Sequence, residues 1–177
     1  MSPRMARKER KRRCFALLLI LLLLVSACSA DKGKQQDTDS ETKTANCTLL
    51  IECSSVFEHW DELASEKQEL IPEDGVMLST QITFKEGDTV FDVFSQAVQQ
   101  NKLHADSVVS SDSAYVRGIG NLYETDCGEF SGWMVYINGE MLMTDLASQP
   151  VSEGDEIAFR YVCDLIRYVS DFEEEAA

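Results

Sequence analysis

Basic residues are the scarce charge in this sequence: sixteen Lys and Arg stand against thirty-one Asp and Glu. Seven of those bases, with a single acid, fall in residues 1–27, so the remainder carries nine bases and thirty acids, a net charge near −21. A chain so acidic is repelled by nucleic acid and by anionic lipid, which excludes a basic-patch partner of either kind. Histidine is nearly absent, with only two in the chain. A thiol nucleophile at Cys127 or Cys163 would need a base, and only His59 and His104 are on offer. His59 sits among Glu58, Asp61 and Glu62 on an expected solvated helix face, and His104 follows the second helix. No Ser/His/Asp signature, HExxH motif or phosphate-cradling glycine loop occurs. Acid abundance is no evidence for a glycosidase pair, and His59 with Glu62 is a thin ligand set for a metal. The expectation is a non-catalytic protein without a metal or resident cofactor.

An apolar run long enough to span a membrane is also missing. Phe15 to Val25 is unbroken but short of the roughly 20 residues a spanning helix needs, and it follows a cluster of basic residues from Arg4 to Arg13. That is the pattern of a secretory signal, whose charged start stays cytoplasmic. The run ends in "LVSAC", which resembles the bacterial lipobox. The resemblance implies cleavage after Ala27 and lipidation of Cys28, with two or more acyl chains holding the protein at the outer side of the cell membrane. Residues 1–27 are therefore expected as signal peptide, and 28–46 as lipidated cysteine and flexible linker. The linker, "SADKGKQQDTDSETKTAN", has no aromatic and no aliphatic side chain larger than alanine, too little to offset its ordering entropy. Its acids Asp37, Asp39 and Glu41 lack the glycine and glutamate of a calcium loop. The end, 171–177, reads as a disordered acidic tail.

Residues 47–170 form one stretch of ordinary domain size without a repeat. "TLLIE" predicts a strand. "SSVFEHWDELASEKQEL" places Val56, Trp60, Leu63 and Leu70 at helical spacing, closed by Pro72. "QITF" predicts a second strand, turned by "KEGD". In "TVFDVFSQAVQQNK", Thr89 and Asp92 stand in capping-box spacing and Val90, Val93, Phe94 and Ala97 share a face. "SAYVRGIGNLYE" reads as a strand broken by Gly118 and Gly120, and "DEIAFRYVC" as a final strand after the turn Glu153-Gly154-Asp155. Together these give an α+β domain, a small mixed sheet with helices on one face. The order looks like a β-grasp, the ubiquitin-like arrangement.

"GWMVYINGE" predicts a hairpin about Asn138-Gly139. A two-residue turn pairs Ile137 with Glu140, Val135 with Leu142 and Trp133 with Thr144 on a core face. It pairs Tyr136 with Met141 and Met134 with Met143 on the other. That second face is a methionine-aromatic patch of the adaptable kind used in binding, unless a loop or the first helix covers it.

Four cysteines remain after the signal and the lipid site: Cys47, Cys53, Cys127 and Cys163. In an exported domain they are disulfide candidates. An extended "CTLLIEC" holds Cys47 and Cys53 roughly 20 Å apart, beyond bonding reach. In a β-grasp the first and last strands lie parallel, which brings Cys53 and Cys163 to one sheet end, and Cys127 reaches it too. The expected bond joins Cys163 to Cys53 or Cys127, with Cys47 unplaced.

Three segments, "ITFKEGDTVFDVF", "SAYVRGIGNLYETDCGEFSGWMVYINGE" and "VSEGDEIAFRYVCDL", together resemble the transcobalamin C-terminal-like domain of bacterial surface proteins, over about Thr48 to Asp164. In animal cobalamin carriers a similar domain closes over a corrinoid against a helical barrel. The resemblance therefore implies a binding module for cobalamin or another small ligand, and the methionine-aromatic face read from the hairpin, Met134, Tyr136, Met141 and Met143 with Tyr123, is where that ligand is expected to sit. After the Asn-Gly turn the sequence departs from the family, with Glu140, Met141, Leu142 and Met143 in place of an aromatic and a proline. The other expectation is an interaction or adhesion module whose partner is a surface protein.

Overall fold

The computed structural model describes residues 43–166. Residues 1–27, expected as signal peptide, Cys28, most of the stretch expected as linker and residues 171–177, expected as tail, lie outside the described residues. Among the described residues no helix is long and apolar enough to cross a membrane.

Alternating apolar residues build a five-stranded sheet with the order β2-β1-β8-β6-β7. β1 (Thr44–Glu52) buries Cys47, Leu49 and Ile51 and turns Thr48, Leu50 and Glu52 the other way, as a period of two requires. It begins inside the stretch expected as linker, because Thr44 to Asn46 pair with Lys85 to Thr83 of β2 (Val76–Lys85). β8 (Glu156–Val162) lies parallel to β1 on its other side, the arrangement expected of the first and last strands. β6 (Gly132–Ile137) runs antiparallel to β8, and the Asn138-Gly139 turn joins it to β7 (Glu140–Met141). Both turn residues have positive φ, 55° and 83°, as a tight hairpin of this hand demands.

The core lies on one face of this sheet. α2 (Val90–Gln100) starts in the expected capping box: Asp92 N donates to Thr89 Oγ1, and Thr89 N donates back to Asp92 Oδ2. Its Val90, Val93, Phe94 and Ala97 are buried, and Phe94 stacks on Phe159 of β8 with ring centroids 4.4 Å apart. Trp133 and Tyr161 meet edge to face at 5.2 Å, and the indole Nε1 donates to the Leu122 carbonyl.

Two expectations are corrected. The first long helix is instead a 3-10 turn (Ser54–His59) followed by the four-residue α1 (Ser65–Gln68). Val56 and Leu63 are buried while Trp60 and Leu70 are exposed, so the helical spacing does not mark one face. Ala64 is extended (ψ 137°) and separates the two pieces. There is also a second sheet, of β3 (Ala105–Val109), β4 (Ala114–Ile119) and β5 (Leu122–Tyr123), in place of a single broken strand. Gly118 stays within β4: a Cβ there would stand 2.4 Å from the Tyr123 ring packed over it. The turn itself falls at Gly120 and Asn121, both of positive φ. The result is a strand-rich α+β fold with two sheets and few helices.

Candidate functional site

The face of the five-stranded sheet opposite α2 carries three of the predicted binding residues, Met134, Tyr136 and Met141. Pairing registers set Ser79, Leu50, Ala158, Tyr136 and Met141 in one transverse row across all five strands. Ala158, the smallest member, lies between Leu50 and Tyr136 and leaves a groove of about 270 Å³, whose lining includes Thr48, Leu50, Ser79, Tyr136, Glu156, Ala158 and Arg160. The next row holds Glu52, Arg160 and Met134. Arg160 Nε pairs with Glu52 Oε1 at 3.0 Å, and its guanidinium sits 4.9 Å from the Tyr136 ring centroid. The ion pair fixes the cation over the aromatic face, a contact worth about 1 kcal/mol when partly desolvated.

Beyond Arg160 the surface opens into a basin of about 510 Å³ at the carboxyl ends of the parallel strands β1 and β8. Its lining is polar: Glu52, Ser54, Ser55, Glu58 and His59 on one side, Arg160 to Asp164 on the other. Groove and basin share Arg160, so one charged side chain serves both. Carboxylates and hydroxyls dominate, an arrangement that accepts hydrogen bonds from amide or ammonium groups.

The expected residues are distributed as follows. Tyr136 and Met141 share the row, and Tyr136 is 2% exposed beneath Arg160. Met134 is half-buried and lines a separate hollow of about 280 Å³ between β4 and β6, with Tyr115 and Leu142. Met143 does not pair with Met134, nor Thr144 with Trp133, because β7 ends at Met141. The last hairpin bond is Leu142 N to Val135 O, 2.8 Å. Asp145 then draws the chain toward β4 by accepting from Ser113 Oγ, Ala114 N and Ala147 N, contacts that hold its carboxylate below its usual range. Met143 is left 84% exposed. Tyr123 stands apart on the second sheet, its ring 5.1 Å from Lys67 Nζ and its hydroxyl 3.1 Å from His104 Nε2.

Leu50, Ala158, Arg160 and Glu52 escaped the sequence reading. The signal was present in "EIAFRYV": once Ile157, Phe159 and Tyr161 are assigned to the core, Ala158 and Arg160 must face the other way.

The cysteines separate into two places. Cys47 lies near Asp155 and Glu153, and burial with those carboxylates pushes its thiol up to about 11. Cys53, Cys127 and Cys163 gather below the basin, all buried and all present as free thiols. Cys127 Sγ approaches the His59 carbonyl at 3.8 Å, whereas the His59 ring is turned to Glu62 Oε1 at 2.9 Å. His104 engages Tyr123. Burial, first of all, raises Cys127, Cys53 (to about 12) and Cys163 above an ordinary thiol. Among the described residues no His/Cys/Asp/Glu cluster is arranged to hold a metal ion.

A family model, the domain of unknown function DUF4430, matches residues 87–162. That span runs from the turn before α2 to the end of β8 and so contains Tyr136, Met141, Ala158 and Arg160. Among solved structures, the chain is similar to haptocorrin in complex with Cbi, at 15% identity and a TM-score of 0.52 over 70% of this chain. The match covers 26% of the haptocorrin chain, so the likeness is to part of that protein and is one of fold. The resemblance to transcobalamin C-terminal-like domains is met at that level. A second similar structure is that of a candidate metal binding protein from Ruminococcus gnavus ATCC 29149, 14% identical, TM-score 0.40, covering 66% of this chain and 95% of that one. No curated protein matches.

Proposed function

We propose that this chain is an extracytoplasmic lipoprotein, anchored through Cys28, whose folded part is a non-catalytic module that binds a small ligand on the open face of its five-stranded sheet. The observation that carries the reading is the row Leu50, Ala158, Tyr136 and Met141 beside the Glu52–Arg160 pair. It joins an apolar floor to a few fixed polar groups, the combination expected of a small-molecule site. The first ligand to test is a corrinoid, in keeping with the fold shared with a structure that holds Cbi. A groove of about 270 Å³ receives one edge of so large a molecule, and the carboxylates and hydroxyls of the adjoining basin suit its peripheral amides. The absence of catalysis is argued from the thiols, which burial keeps protonated, and from the two imidazoles, each turned to another partner.

Thermal unfolding of the protein with a panel of corrinoids and other cofactors tests this. Ligand at about a hundred times its dissociation constant adds roughly 2.7 kcal/mol, several degrees for a domain of this size. No rise with any ligand refutes the small-molecule reading. Anchoring is tested separately: Cys28→Ala should move the protein from the membrane fraction to the soluble exported fraction.

One observation favours a second reading, a surface protein as partner. Val108 and Tyr115 are cross-strand neighbours on the second sheet and both are about half exposed, next to the hollow lined by Met134.

A further inference from the structure

The sequence leaves open which cysteine bonds to Cys163, and the loop before β6 decides it. Residues 126–131 form a tight turn in which Cys127 N donates to Ser131 Oγ, Ser131 Oγ donates to the Gly128 carbonyl, and Ser131 Oγ also meets Tyr161 Oη at 2.8 Å. Gly128 lies so close to the end of β8 that a Cβ on it would stand 3.9 Å from the Cys163 carbonyl oxygen. Leu165 N donates to the Phe130 carbonyl at 2.9 Å, closing the turn against the chain that follows β8. Inside this double attachment both thiols lie against the same 3-10 turn, Ser54–His59: Cys127 Sγ is 3.8 Å from the His59 carbonyl and Cys163 Sγ is 3.8 Å from Ser55 Oγ. Cys53 is nearby but oriented elsewhere: its Sγ donates to the Gly75 carbonyl at 3.4 Å, and its own N–H bonds to the same oxygen at 2.8 Å. Cys47 lies farther back along β1, near Asp155 and Glu153.

We propose that Cys127 and Cys163 form a disulfide, that Cys53 and Cys47 stay thiols, and that the bond fixes the turn 126–131 to the wall of the basin that contains Cys163. Oxidising conditions are required, and in the cell their supply rests on the export reading above. With oxidised glutathione as oxidant, two protein S–H bonds and one glutathione S–S bond break. One protein S–S bond forms, and both protons leave on two glutathione thiols. The thiols are pushed up by burial once folded, so the exchange belongs to the folding chain, before thiolate is suppressed.

The full chain is unfolded, refolded in a glutathione redox buffer, alkylated and digested with trypsin. The pairing joins peptide 118–160 to peptide 161–167 in a species about 2 Da lighter than its reduced components. A link between 44–67 and 161–167, which would carry Cys53 or Cys47, overturns the proposal, as does alkylation of both Cys127 and Cys163. The same digest of protein taken directly from cell membranes separates the two readings. A bond present after refolding but absent there leaves the pairing intact and counts against export.

Discussion

Reduction of the Cys127–Cys163 bond should destabilise the domain by an amount the chain length sets. The bond closes a ring of about 37 residues, and the loss of loop-closure entropy in the unfolded chain then stabilises the fold by about 3.8 kcal/mol. Both thiols already lie against the same 3-10 turn, Ser54–His59, so little of this should be lost to rearrangement. At about 4 °C per kcal/mol for a domain of this size, the oxidised protein should melt about 15 °C above the reduced one. Circular dichroism melts with and without a phosphine reductant provide the measurement. The variant carrying Cys127→Ala and Cys163→Ala should melt at one temperature under both conditions, because Cys47 and Cys53 do not bond. A difference under about 3 °C in the wild type, or an equal drop in the double variant, would falsify the reasoning.

Neighbouring residues of β8 should respond in opposite ways. Ala158→Phe fills the groove between Leu50 and Tyr136 and should weaken any ligand found in the corrinoid screen at least about tenfold, worth about 1.4 kcal/mol, with little change in melting. Phe159→Ala removes the ring stacked on Phe94 and should cost about 3 to 5 kcal/mol in denaturant unfolding. If Ala158→Phe unfolds the protein, the row is core and the site is misplaced. Thr89→Ala removes the Oγ1 arm of the capping box, leaves the backbone N–H arm to Asp92, and should cost about 1 kcal/mol, measured the same way. Stability should fall as pH rises from about 9 toward 11 and 12. There the unfolded chain releases the Cys47 and Cys53 protons while burial keeps them in the fold, so the unfolded state binds fewer protons. Cys47→Ala should flatten the lower part of that fall in urea titrations taken across the range.

Legibility in the sequence followed the range of the interactions. α2 was readable because its cap and its apolar face are both local, within Thr89 to Ala97. The hairpin was readable for the same reason, and two pairs, Ile137 with Glu140 and Tyr136 with Met141, form as expected. Its failure starts at Leu142, where a contact more than thirty residues away, from Asp145 to Ser113 and Ala114, outweighs continued pairing. Extending the ladder to Met143 needed knowledge of β4 as a separate strand. The same gap hid β3, whose "ADSVV" carries no strict alternation and exposes Val108 and Val109. Val56, Trp60, Leu63 and Leu70 show the converse error: helical spacing without a common surface to bury it against.

The apolar character of both faces of "GWMVYI" now has a physical account. One face, Trp133, Val135 and Ile137, pairs across to Tyr161, Phe159 and Ile157 and closes the core. The other pairs Met134 with Arg160 and Tyr136 with Ala158, so its residues meet a cation and the smallest side chain of the row rather than more core. A strand serving only stability would gain from a larger apolar residue opposite Tyr136, since each added buried methylene contributes about 0.8 kcal/mol. Alanine at that position gives up this stabilisation and leaves a groove. A buried tyrosine, an ion-paired arginine held over its ring and an open space beside both are therefore better explained by recognition than by packing, and the space at Ala158 is where that argument meets its test.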